Sequence, residues 1–209
     1  YLGEEGILST RLDGFEFRRQ QVDMAAAVAE AFGNAKHLIV EAGTGTGKSL
    51  AYLIPAILWA VENNKKVVIS TYTKTLQHQI LNHDIPFLRD KLGIAFRYAL
   101  CMGNENYLSL RRLKRSAQAG LFTKSDEENQ WDGIFNWAEE TETGFRSDLP
   151  FEVLPQVWEE VGRQKDLCLG KSCETHSSCF YFKGRKKWFG AHLLIINHHL
   201  FFANVASAG

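Results

Sequence analysis

Short apolar runs alternate with segments of helical period along the first hundred residues. His37 to Glu41 is short and apolar enough for a buried strand. Ser49 to Asn63 carries a helical pattern, Lys66 to Ser70 is a second apolar run, Thr75 to Lys91 a second helical stretch, and Ala95 to Leu100 a third strand. An Ala-rich helical segment, Val22 to Phe32, comes before them. Strands and helices in alternation predict βαβ units, that is, an α/β fold with a parallel sheet flanked by helices. A fourth apolar run, Leu193 to Ile196, follows the third after about 90 residues. A crossover between parallel strands needs only a dozen or so residues. The excess predicts an inserted, mainly helical subdomain from about Asn104 to Phe189, with Pro150 and Pro155 breaking its helices. The expected organisation is therefore residues 1–103 as the first part of an α/β domain, 104–189 as a cysteine-containing insertion, and 190–209 as the return strand.

Composition narrows the class. With 45% hydrophobic and 23% charged residues among 209, the chain reads as globular. No apolar run reaches the roughly 18 residues of a membrane span, and Tyr1 to Gly6 lack a basic and then apolar signal, so a cytoplasmic location is expected. Lys and Arg total 24 and Asp and Glu total 24, which excludes bulk polycationic binding of nucleic acid but not local patches. Patches exist. Tyr107 to Ser125 holds Arg111, Arg112, Lys114, Arg115 and Lys124 and no acid. Asp126 to Glu160 holds eleven acids against Arg146, and Val161 to Lys187 seven bases against Asp166 and Glu174.

The strongest local signal is Glu41-Ala42-Gly43-Thr44-Gly45-Thr46-Gly47-Lys48-Ser49. It fits the phosphate-binding loop, with Ala42 in the first glycine position, and sits between an apolar run and a helical pattern. Backbone N–H groups and the helix N-terminus there can cradle phosphate oxygens. Lys48 would reach the β and γ phosphates, and the Ser49 hydroxyl would ligate magnesium. Upstream, Phe15 to Gln21 includes Arg18 and Gln21, and the Gln21 amide can pair with the N6 and N7 edge of adenine. Downstream, Ser70 to Gln79 clusters hydroxyls and amides, among them Thr71, Thr73 and Gln77, which suit phosphate-backbone contacts or, more plainly, helix capping.

Cys168, Cys173 and Cys179 form a C-x4-C-x5-C cluster; Cys101 stands apart. Such bunching points to a metal or an iron–sulfur cluster rather than to disulfides. Lys171, Lys183 and Arg185 would offset the charge of a cluster, whereas His176 with the three thiols would suit structural zinc. Basic and aromatic side chains suited to a single nucleic-acid strand are Tyr107, Arg111, Arg112, Tyr181, Lys183, Arg185 and Lys187.

Together these motifs resemble the DinG/XPD family of superfamily-two DNA helicases, most closely its bacterial DinG-like branch, over almost the whole chain. Phe15 to Gln21 matches the Q motif, Glu41 to Ser49 motif I and Val67 to Gln79 motif Ia. Gly103 to Leu113 resembles the segment of the first cluster ligand, and the cysteine triplet and Asn197-His198-His199-Leu200 complete the series. The resemblance implies a RecA-like P-loop motor domain that uses ATP and Mg2+. It also implies a 4Fe-4S cluster in an insertion, translocation on single-stranded DNA, usually 5' to 3', and a DNA-facing Asn197. It puts a cluster ligand at Ser109, where the family's N-Y-L-C reads Asn106-Tyr107-Leu108-Ser109. A serine oxygen is a poor substitute for a thiolate, and Cys101 is the other thiol available. An incomplete or labile cluster is thus expected. The sequence given ends before a D-E-A-H motif and a second motor domain. The resemblance therefore implies an N-terminal fragment, monomeric, that binds nucleotide weakly and hydrolyses it poorly. Competing readings are a P-loop phosphotransferase that never touches DNA, which leaves the cysteines unexplained, and a non-catalytic metal module whose acidic block docks a partner.

Overall fold

The structure, a computed structural model, describes residues 1–11, 14–119 and 125–208. Lys124 of the basic block lies outside them. The chain divides into two compact units: Tyr1–Leu100 with Gly190–Gly209, and Cys101–Phe189.

In the first unit, α1 (Ile7–Arg11), α2 (Arg19–Gly33) and α3 (Lys48–Glu62) precede β1 (Val67–Thr71). Then come α4 (Lys74–Gln79), a π-helical turn (Ile80–Asp84), α5 (Ile85–Leu92) and β2 (Tyr98–Cys101). After the second unit the chain returns as β3 (Leu193–Asn197) and α10 (His198–Ala208). The sheet order is β1-β3-β2, and β3 runs parallel to β1 with Val67 opposite Leu193 and Thr71 opposite Asn197. The late strand thus enters between the two earlier ones. Strand β1 has the period of two that a half-covered strand requires, with Val67, Ile69 and Thr71 buried and Val68 exposed. Helix α3 buries Leu53, Ile57 and Ala60 in the same core as Ile69, Leu193 and Ile195. Each large aliphatic side chain so buried contributes about 1.5–3 kcal/mol. Phe32 of α2 stacks on Trp59 of α3 with ring centroids 5.1 Å apart, which fixes the segment before the phosphate loop against the helix after it.

One expectation is refined and one corrected. The helical stretch expected over Thr75 to Lys91 runs unbroken from Lys74 to Leu92, but its middle turn, Ile80–Asp84, is π-helical and buries Asp84. The run His37 to Glu41 forms no strand: Leu38 and Val40 are exposed and Ile39 is 98% exposed. An apolar run records the need for burial and not the identity of the partner. Among the described residues the run is not one of the three hydrogen-bonded strands of the sheet.

The second unit holds α6 (Leu110–Ala119), α7 (Ser125–Glu140), α8 (Pro155–Val161) and α9 (Phe180–Gly190). Pro155 opens α8 at a first-turn position, where its missing N–H costs nothing. Tyr107, Leu108, Ile134, Val157, Trp158, Val161 and Phe180 make the core. Antiparallel bridges Tyr107–Phe145 and Leu108–Gly162 tie its loops together. The acidic block is partly explained by α7, whose first turn carries Asp126, Glu127 and Glu128 at the positive end of the helix dipole.

Candidate phosphate loop and thiol cavity

The phosphate loop owes its shape to two glycines. Gly45 has φ 79° and Gly47 φ 74°, both in the left-handed region, and Gly47 is the residue from which α3 starts. The loop is bound by its own side chains. Lys48 Nζ donates to the Ala42 and Gly43 carbonyls at 2.8 and 2.6 Å, and Thr46 Oγ1 to Gly43 O at 3.0 Å. Arg18, held by Glu16 at 2.6 Å, donates to Gly45 O at 2.5 Å. Gln21, 5% exposed, donates from Nε2 to Gly47 O at 3.0 Å. The residues expected at nucleotide, Arg18, Gln21, Ala42 through Gly47, Lys48 and Ser49, are thus brought together. Gln21 is nevertheless spent on the loop backbone and turned away from solvent. Ser49 lies in the first turn of α3, and the hydroxyl of Tyr52, one turn on, is pushed above its ordinary value chiefly by burial.

At the ends of β1 and β3, Thr71 and Asn197 lie opposite each other. Asn197 Oδ1 accepts from Leu200 N at 2.7 Å, and Thr73 Oγ1 accepts from Leu76 N at 3.2 Å, so both cap helices, α10 and α4. Gln77 is buried, and its Nε2 has no partner among the described residues. Sequence reasoning passed over Tyr72. Its exposed ring lies 6.1 Å from that of His198, which is in turn hydrogen-bonded through Nδ1 to Ser70 Oγ at 2.7 Å. A tyrosine just past a strand end was the available signal.

In the second unit one cavity is lined by Cys168, Cys173 and Cys179 together with Ser109, His176 and Arg163. Gly170 N–H points at Cys168 Sγ at 3.4 Å, the Thr175 hydroxyl lies 3.3 Å from Cys173 Sγ, and Cys179 stands at the start of α9. The Ser109 side chain caps α6, its Oγ accepting from Arg112 N at 3.4 Å. Cys101 does not line the cavity; it is buried, and desolvation pushes its thiol up to about 12. Among the described residues no three His, Cys, Asp or Glu side chains converge enough to hold one metal ion. No Asp or Glu lines the cavity; three thiols, one imidazole and three arginines do.

Of the strand-binding residues expected here, Tyr107 is corrected. Its side chain is 0% exposed, its ring packs edge-on to Phe145 and Tyr181, and burial pushes its hydroxyl well above the ordinary value. No base can stack on it. Arg111 donates to Leu167 O, and Arg112 to the Gly162 and Glu159 carbonyls, so both brace loops. Tyr181 is half-buried under Arg163. Lys183, Arg185, Lys186 and Lys187 are exposed along α9, which contains no acid. Arg163 was not foreseen, because nothing in its local sequence marks it.

Comparison with known proteins agrees with this geometry. The chain is 37% identical over 208 residues to the ATP-dependent DNA helicase YoaA of Haemophilus influenzae, covering 96% of this chain and 31% of that protein. It is 38% identical over 204 residues to the ATP-dependent helicase DinG of Mycobacterium tuberculosis, covering 88% and 30%. To the 3'-5' exonuclease DinG of Bacillus subtilis it is 32% identical over 215 residues, covering 98% and 22%. The chain thus spans under a third of the length of these relatives. Residues 21–129 match the DEAD/DEAH box helicase family. That match starts at the glutamine tied to the phosphate loop and runs through the loop, α3 and β1, and the chain belongs to the DEAD/DEAH box helicase family.

Proposed function

We propose that the chain is part of the first motor domain of an ATP-dependent DNA helicase that translocates on single-stranded DNA, 5' to 3', and carries a cluster in its insertion. The observation that carries the reading is the phosphate loop, in which Gly45 and Gly47 turn the backbone into α3 and bring Lys48 and Ser49 to one point. A triphosphate supplies oxygens in place of the Ala42 and Gly43 carbonyls that Lys48 now meets. The Ser49 hydroxyl would hold Mg2+, and the Gln21 amide, once released from Gly47 O, would be free for adenine. Because these bonds must be exchanged, nucleotide affinity in this chain is modest.

Cys168, Cys173 and Cys179 would hold a 4Fe-4S cluster, with Ser109 beside the fourth position. Such a group, when bound, supplies cross-linking of the loops and one-electron redox chemistry. The basic face of α9, with Lys183, Arg185 and Lys187, supports phosphate contact. Tyr72, exposed just past β1, and Asn197 at the end of β3 are the corresponding candidates in the first unit, whereas Thr71 is buried. No helix among the described residues is long and apolar enough to cross a membrane.

The test is titration of the chain with a fluorescent ATP analogue, with and without Mg2+, beside Lys48→Ala. A tenfold or greater loss of affinity is expected in the variant. Equal affinity sinks the reading. A single-stranded oligonucleotide should bind more weakly, with a shallower salt dependence, when Lys183, Arg185 and Lys187 become Glu.

A further inference from the structure

Of the three arginines on the thiol cavity, Arg163 is the one with buried guanidinium N–H groups that have no acceptor among the described residues. It is 8% exposed, and its Nε and Nη1 are buried without an acceptor. Its guanidinium lies over the Tyr181 ring, 3.8 Å from the centroid, a contact that holds it by one face without using its N–H groups. The other two arginines on the cavity, Arg111 and Arg112, spend theirs on the carbonyls of Leu167, Gly162 and Glu159. No carboxylate lines the cavity, and three thiols do. A guanidinium is always charged, and a buried charge without a partner is strongly unfavourable. What answers it must be an anion, and the anion these walls can build is one made of thiolates and sulfide.

We propose that Arg163 is a positioning residue for a thiolate-bound iron–sulfur group: clamped on Tyr181, it offsets the negative charge of the group and donates its free N–H bonds to its sulfurs. This rests on the reading that Cys168, Cys173 and Cys179 hold such a group. Two consequences follow from the charge. The metal-free protein carries an unpaired buried cation, and the loaded protein does not. Removing the cation disfavours the more negative, reduced state, so the reduction potential must fall.

The whole chain, reconstituted anaerobically with iron and sulfide, is compared with Arg163→Met and Arg163→Lys. Iron and acid-labile sulfide are measured, with the rate of loss to a chelator, the midpoint potential by absorbance, and the denaturation midpoint without metal. Arg163→Met is expected to be at least as stable as the parent when metal-free. Loaded, it should lose iron several-fold faster, with a more negative potential. Arg163→Lys should keep a potential near the parent's while releasing iron at an intermediate rate. Should Arg163→Met not fold, Arg163→Gln, uncharged but able to hydrogen-bond, takes its place. Parent-like release and potential in the neutral variant overturn the proposal, leaving Arg163 as packing for Tyr181. A parent chain that takes up no iron and sulfide overturns the cluster reading as well, so the two failures are distinct.

Discussion

Replacing Gly47 by Ala tests whether the phosphate loop is shaped by backbone freedom and by its tie to Gln21. Gly47 has φ 74°, where a residue with a Cβ costs about 1–2 kcal/mol. The added methyl would also run into Gln21 Nε2, the atom that donates to Gly47 O. Displacing that amide in a nearly closed pocket adds the loss of one hydrogen bond and the cost of a stranded donor, about 1–3 kcal/mol. The total is about 2–5 kcal/mol. It is best read as lost hydrogen-exchange protection in α2 and α3, which isolates this unit from the other. Gln21→Ala separates the parts. In its background Gly47→Ala should cost only the backbone share, about 1–2 kcal/mol, leaving a coupling of about 1–3 kcal/mol between the two sites. A cost for Gly47→Ala below about 0.5 kcal/mol, or one unchanged by removing Gln21, would refute the account.

Other outcomes follow from single residues. Cys101, whose burial holds its thiol near 12 against an ordinary 9.0, should resist alkylation at pH 8 in the native chain, while Cys168, Cys173 and Cys179 react. The folded pKa is raised, so this stabilising contribution is intact below pH 9 and is lost as pH climbs towards 12; Cys101→Ala should flatten that alkaline decline in a urea-midpoint series. Ser109→Cys removes the cap of α6 at a cost of about 1 kcal/mol, yet adds a fourth thiol to the cavity wall, so chelator resistance of bound iron should rise while metal-free stability falls. Gly144, at φ 64° beneath the Phe180 ring, should not accept alanine: about 2–4 kcal/mol is expected, read as lost exchange protection in α9.

Much of the fold was legible because it is local. The apolar run at Lys66 to Ser70, the helical pattern from Ser49 and the late apolar run at Leu193 to Ile196 record burial, which leaves its mark along a strand or helix. The phosphate loop was legible for a similar reason, since left-handed turns at Gly45 and Gly47 demand glycine at fixed spacing. The π turn at Ile80–Asp84 left no such mark, for it changes the helix by one residue without changing composition. Tyr107 misled, because an aromatic ring suits a base and a core equally well, and only packing against Phe145 and Tyr181 decides between them.

The sequence by itself determined that a triphosphate loop precedes α3 and that three thiols lie within twelve residues. Both are consequences of spacing along one stretch of chain. Only the tertiary structure decided that Gln21 is bonded to Gly47 O, that Ser109 caps a helix on the wall of the thiol cavity, and that Arg163 sits buried there on Tyr181. Those facts depend on residues far apart in sequence meeting in a low-dielectric interior, where an unpaired N–H or charge becomes costly. No local pattern encodes which distant groups will share that interior.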